Sequence, residues 1–217
     1  MIRLILVNPN TSAATTSLML LIAQEAAGEV ATVESVTARF GSALIVDESA
    51  LMTASKAVAE LTPELRSLRP SGVIVSAFGD PGRDQLATTL SYPVTGIAEA
   101  SMAEAAQAGR RFAVVTTTPA LAASITRMVY SYGFGAQFAG TRFTSSDPVE
   151  IMTNPHRLEE ALLKSCEAAI RDGAERIVIG GGPLAGVARN LRKRLSVELV
   201  EPIPAAVRLA IARCAPN

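Results

Sequence analysis

Two stretches of this chain share one design. Ser71-Gly-Val-Ile-Val-Ser-Ala-Phe-Gly-Asp-Pro-Gly-Arg83 passes from an apolar run into small, polar and turn-forming residues. Arg176-Ile-Val-Ile-Gly-Gly-Gly-Pro-Leu-Ala-Gly186 does the same. Each pattern predicts a buried parallel strand that ends in a loop. A second pair supports the first. Arg3-Leu-Ile-Leu-Val7 enters Asn8–Thr11, and Arg111-Phe-Ala-Val-Val115 enters Thr116–Thr118. Arg3 and Arg111 lie 108 positions apart, and Gly72 and Arg176 lie 104 apart. Two nearly equal offsets, in the same order, predict an internal duplication. A chain that buries such runs twice needs helices on both faces of its strands, and that restricts it to an α/β fold.

The rest of the chain fits alternating strands and helices. Strands are expected at 2–7, 32–37, 72–76, 93–96, 111–115, 137–143 and 176–180. Helices are expected at 12–27, 47–59, 62–67, 83–90, 98–108, 120–131, 155–171, 185–194 and from Pro202 to Cys214. Thr11 or Ser12 suits the first helix as a cap, and Gly28 suits its end. Thr62-Pro63 reads as a cap followed by proline at the first helical position. Gly109 is placed to end the helix at 98–108. The expected architecture is two similar Rossmann-like parallel-sheet half-domains, related by a pseudo-twofold, with a cleft between them. The first half-domain is 1–97 plus the C-terminal helix at about 203–217, and the second is 98–202.

Composition removes several function classes. Lysine plus arginine and aspartate plus glutamate are 20 each, and no basic tract is interleaved with aromatics. Nucleic-acid binding therefore has no support. No stretch approaches 18 apolar residues, so no membrane span is expected. The apolar start, Met1 to Val7, is too short and wrongly flanked for a signal peptide. Cys166 and Cys214 are the only cysteines and lack metal-ligand spacing, which fits a cytoplasmic protein with incidental thiols. His156 is the only histidine, so a histidine-rich metal site is excluded. It falls at an expected helix start, where a surface residue is the simpler reading than a general base.

Ligands of open α/β sheets bind at the carboxyl ends of strands, which points to the loops. Asn8, Asn10 and Thr11 follow the first strand, and Thr116, Thr117 and Thr118 follow its counterpart. Their amides and hydroxyls suit a carboxylate or an imide-like ligand, and they suit turns and caps equally well. Gly180, Gly181 and Gly182 allow close backbone approach and offer N–H donors. The sequence carries neither the G-x-G-x-x-G of a dinucleotide site nor a P-loop lysine. Asp80 is the carboxylate of the central loop. It reads either as a general base, or the holder of one, or as a cap of its own turn. Ser76 lacks the G-x-S-x-G context of a nucleophile.

These same residues resemble the Asp/Glu/hydantoin racemase family, most closely its hydantoin racemase branch. The matching pieces are Val7-Asn-Pro-Asn-Thr-Ser12, Ala77-Phe-Gly-Asp-Pro-Gly82, Pro93-Val-Thr-Gly-Ile-Ala-Glu-Ala100, Arg111-Phe-Ala-Val-Val-Thr-Thr117 and Ile177-Val-Ile-Gly180. They recur in family order across almost the whole chain. The resemblance implies an active site between two α/β halves, no cofactor, no metal, a small-molecule substrate, and a homo-oligomer. It also implies a pair of cysteines on opposite faces of the substrate, one removing the α-proton and the other returning it. The two matching positions here are Ala77 and Gly181, and neither side chain transfers protons.

The expected substrate site therefore comprises Asn10, Thr11, Ala77, Phe78, Gly79, Thr117, Thr118, Gly181 and Gly182. Asp80 and Ser76 are the candidates for proton chemistry. Three functions follow. One is a cofactor-independent racemase or isomerase acting on an amino-acid-derived or hydantoin-like compound with non-cysteine groups. Another is a lyase or hydrolase that stabilises an enolate or oxyanion. The third is an inert small-molecule binder.

Overall fold

A computed structural model describes residues 1–215. The chain divides into two compact units. The first comprises Met1–Ile45, Ser49–Ala100 and the residues from Ile203 onward, and the second comprises Val46–Glu48 and Ser101–Pro202.

The first unit contains β1 (Ile2–Asn8), α1 (Ala13–Ala27), β2 (Ala31–Thr37), α2 (Glu48–Glu60) from its second residue on, α3 (Thr62–Leu68), β3 (Gly72–Val75), α4 (Arg83–Thr89) and β4 (Val94–Gly96). The helix α5 (Ile97–Ala105) begins in it and carries the chain into the second unit. All four strands are parallel, in the order β2-β1-β3-β4. Leu4 sits beside Gly72 and Val7 beside Val75 in the register. Leu4 to Asn8 and Gly72 to Val75 are buried throughout, as expected of strands covered on both faces. Ser12 caps α1 by accepting from the Thr15 amide at 3.2 Å, and Gly28 ends the helix at φ 53°. Thr16, Met19, Ile22, Ala23 and Ala27 form its buried face, which follows the helical period.

The second unit repeats the plan with β5 (Phe112–Thr116), α6 (Ala122–Ser131), β6 (Phe138–Phe143), α7 (Pro148–Ile151), α8 (Pro155–Arg171), β7 (Arg176–Ile179), α9 (Ala185–Arg192) and β8 (Glu198–Val200). Its sheet is parallel in the order β6-β5-β7-β8. Asn154 caps α8 by accepting from the Arg157 amide at 3.1 Å. Leu158, Leu162, Cys166 and Ala169 then project into a core with Val115, Ile177 and Ile179. The last helix, α10 (Pro202–Cys214), returns to the first unit.

The expected α/β class is what the chain adopts, with the same strand order in each unit. Three local expectations need correction. Thr62 is the first residue of α3 and not its cap; its hydroxyl donates to the Ala59 carbonyl at 2.6 Å. The helix expected to 108 ends at Ala105, and a single 3-10 turn over Gln107–Gly109 follows, with Ala108 at φ 57°. The short elements β8 and α7 were not expected at all; three or four residues are too few to show a period.

In this strand order, β1 and β3 are neighbours whose following connections leave in opposite directions. The same holds for β5 and β7. These are the topological switch points, where the carboxyl-end loops splay apart and expose backbone.

Candidate active site

At the first switch point, Asn8 organises the loop after β1. Its Nδ2 donates to Asn10 Oδ1 at 2.9 Å and to Thr16 Oγ1 at 2.8 Å. Its Oδ1 accepts from the Asn10 amide at 3.1 Å, and Asn10 Oδ1 accepts from the Ser12 amide at 2.9 Å. The Thr11 amide donates to the Ser42 carbonyl at 3.1 Å. This loop uses its own amides, so Asn8 and Asn10 act first as its frame. Thr11 is half-buried beside them.

The loop after β3 is built differently. Ser76, buried, donates its hydroxyl to the Val7 carbonyl at 2.8 Å, which pins β3 to β1 where the strands end. Gly79, Asp80 and Gly82 adopt φ of 128°, 46° and 77°. Glycine takes such angles freely, and Asp80 is held in one. Its two carboxylate oxygens accept from the Ala98 amide at 2.9 Å and the Glu99 amide at 2.8 Å. Those amides belong to the first turn of α5, where helix N–H groups lack internal partners and favour negative charge. Gly96 makes this fit possible, because a Cβ there would land on the Asp80 carboxylate. Glu99 in turn holds Arg213 of α10 at 2.6 Å and Arg83 at 2.8 Å. The result is a bent loop anchored at its far end by charge. The amides of Ala77, Phe78 and Gly79 have no backbone acceptor among the described residues.

The second switch point carries a related pin that runs the other way. Thr116 donates its hydroxyl from β5 to the Gly180 carbonyl at 2.6 Å and lies 3.3 Å from the Thr118 hydroxyl. The amides of Thr117, Thr118, Gly181 and Gly182 have no backbone acceptor among the described residues. Thr117 and Thr118 are buried, and Gly181 is half-buried. Thr144 was missed by the sequence reading. Its amide donates to the Thr116 carbonyl at 3.1 Å, and its buried Oγ1 has no hydrogen-bond partner. The signal was present, since Thr144 directly follows β6 and so belongs to the same rim as the threonines after β5.

Neither thiol lies in these loops. Cys166 is fully buried in the α8 core, where burial first, and the charge of Glu167 second, push its pKa up to about 12. Cys214 donates from its Sγ to the Ser71 carbonyl at 3.2 Å, at the amino end of β3 and so opposite to the loop that holds Ala77. Burial raises its pKa as well. His156 is exposed in the first turn of α8, beside Arg157 and Lys164 in a surface groove. Among the described residues, no group of three or more His, Cys, Asp or Glu could hold a metal ion, and no helix is long and apolar enough to cross a membrane.

The two parallel sheets, with polar glycine-rich loops at both switch points, define a protein of the α/β class. A family model described as Asp/Glu/Hydantoin racemase matches residues 4–210, and the chain belongs to that family. A hydantoin racemase of Paenarthrobacter aurescens is 28% identical over 211 residues, covering 96% of this chain and 89% of that one. The structure of an allantoin racemase from Klebsiella pneumoniae superposes with a TM-score of 0.91 at 29% identity, covering 98% of this chain and 87% of the other. An allantoin racemase from Pseudomonas fluorescens gives 0.89 at 29% identity, with 97% and 90% covered.

Proposed function

We propose that this chain is a cofactor-independent isomerase, assembled as a homo-oligomer, that acts on a small uncharged imide such as a hydantoin derived from an amino acid. In this reading it exchanges the α-proton without thiols. The observation that carries the reading is that the switch-point loops of each unit leave backbone amides without a backbone acceptor among the described residues, 77–79 in the first unit and 117–118 and 181–182 in the second. Fixed N–H dipoles of this kind stabilise charge that develops on a carbonyl oxygen.

The chemistry balances as a simple ionisation. The α-carbon loses its proton, and the electron pair moves onto the adjacent carbonyl oxygen, where amides hold it. Return of a proton on the other face inverts the centre. A carbon within an imide ring is far more acidic than the α-carbon of a free amino acid, so oxyanion stabilisation with water as proton carrier suffices for it. Thr117 is the side chain we assign to hold that water, because its hydroxyl makes no hydrogen bond to any described residue. Asp80 and Ser76 are positioning residues in this reading. The carboxylate is engaged by two amides and the hydroxyl by a carbonyl.

Charge supports the substrate class. Residues 8–12, 76–82, 116–119 and 180–183 contain one ionisable side chain, Asp80, and no cation. A dicarboxylic amino acid would meet no countercharge in these loops. The test is proton exchange at the ring α-carbon of a 5-substituted hydantoin in deuterated water, followed by NMR. Protein-dependent deuterium incorporation above the buffer rate is expected. Turnover without deuterium would replace this reading with hydrolysis or elimination. Binding with no exchange across a panel of imides would leave a binder.

A further inference from the structure

Helix α5 takes its cap from another segment of the chain. Gly96 precedes its first residue, Ile97, and glycine has no side-chain oxygen for the amides of the first turn. Asp80 fills that role, accepting from the Ala98 and Glu99 amides at 2.9 and 2.8 Å. Glu99 holds the third helical position, where a glutamate completes a capping box. Its Oε2 accepts from the Gly96 amide at 3.4 Å. The capping box of α5 is therefore split, and its remote half is the loop after β3.

The same glutamate holds the far end of that loop. Arg83, the first residue of α4, donates from Nη2 to Glu99 Oε1 at 2.8 Å. Arg213, in the last turn of α10, donates from Nη2 to Glu99 Oε1 at 2.6 Å and from Nη1 to Oε2 at 3.0 Å. This is the paired fork that fixes a carboxylate in orientation as well as in place. Nη1 also donates to Thr95 Oγ1 at 3.1 Å and to the Val94 carbonyl at 3.3 Å, which ties the guanidinium to β4. The Glu99 side chain is only 13% exposed. Its pairs are shielded, unlike the surface pairs that contribute little.

We infer that Arg213 is a positioning residue for the loop at 77–82. By orienting Glu99 it holds Arg83 directly, and it holds Asp80 through the first turn of α5. Ser76 pins the near end of the loop to β1. The Ala77, Phe78 and Gly79 amides are carried between these fixed points. Gly79 and Gly82 give the backbone between them little stiffness of its own. That these amides receive developing charge rests on the isomerase reading; that Arg213 holds the loop does not.

Hydrogen exchange in the full chain, followed by NMR, reads the loop through two amides. The Asp80 amide donates to the Ala77 carbonyl, and the Arg83 amide to the Asp80 carbonyl. Arg213→Met keeps an apolar stem and removes the fork. It should speed exchange at both amides by at least about tenfold while the amides of β1 stay within about twofold. Arg213→Lys, which keeps the charge and loses the fork, should show the same loop-selective change to a smaller degree. Glu99→Gln should act at least as strongly as Arg213→Met, and combining the two should add less than about twofold. On a 5-substituted hydantoin, Arg213→Met should lower kcat about tenfold with KM nearly constant. A wild-type chain inert on hydantoins would sink the isomerase reading, and loop exchange would still decide the role of Arg213. Unchanged loop exchange in Arg213→Met, loop and β1 amides accelerating together, additive effects with Glu99→Gln, or an active enzyme whose kcat is unaffected would each overturn the inference.

Discussion

Replacing Asp80 separates a structural anchor from a catalytic base. Asp80→Ala removes both acceptors from the Ala98 and Glu99 amides and leaves those donors without them beneath a nearly buried loop. Hydrogen bonds to a charged group contribute about 1.5–3 kcal/mol each, and alanine at a positive φ adds about 1 kcal/mol. A loss of about 4 kcal/mol is therefore expected. Asp80→Asn keeps one acceptor oxygen and tolerates the left-handed backbone, so its loss should be about 1–2 kcal/mol. Gly96→Ala offers an independent check. Its Cβ strikes the Asp80 carboxylate. It should therefore destabilise the native chain but do little further harm once Asp80 is alanine, giving a strongly non-additive double-mutant cycle. Urea unfolding followed by circular dichroism, with hydrogen exchange at the Ala98 and Glu99 amides, measures the four proteins of the cycle and Asp80→Asn. A loss below about 1 kcal/mol for Asp80→Ala, or additive effects with Gly96→Ala, would refute the anchoring argument. Asp80→Asn should also retain most α-proton exchange. Abolished exchange in a stably folded Asp80→Asn protein would make Asp80 the base.

Thr117→Val should bind an imide with little change yet slow its α-proton exchange by about tenfold, read as a fall in kcat with KM nearly constant. The Cys166 thiol is held well above its ordinary value, so the folded chain keeps a proton there that the unfolded chain has lost. Stability from this group is complete below about pH 9 and declines as pH rises toward 12. Cys166→Ala should flatten that alkaline slope in pH-dependent urea melts. Ala77→Cys together with Gly181→Cys should introduce proton transfer by thiols and accelerate hydantoin exchange. A Cβ at Gly181 would come within 3.2 Å of Leu184 Cδ1, so the second substitution should lower the melting temperature more than the first.

Much of the framework was legible because it is repetitive. Buried runs such as Leu4–Val7 and Val73–Val75 announce parallel strands, and the long apolar period of α8 announces a helix bounded by Asn154 and Arg171. The loops were legible as places, because strand ends are marked by glycine, proline and hydroxyl residues. Their internal wiring was not. Nothing local to Asp80 says that its partners are Ala98 and Glu99, eighteen and nineteen residues away. Ser76 and Thr116 reach carbonyls more than sixty residues distant. Such bonds depend on which strands become neighbours, and a pattern within one segment carries no information about that. β8 could have been anticipated from the duplication, since its place in the second unit corresponds to that of β4 in the first.

The return of α10 to the first unit has a consequence for synthesis. Ile203, Ala206 and Val207 are buried there, so the first unit stays incomplete until these residues have been made. The second unit lacks no long-range piece beyond 46–48 once Pro202 has left the ribosome. Folding on the ribosome should therefore finish in the reverse of synthetic order. The nascent first unit is the portion that most needs chaperone cover while it waits.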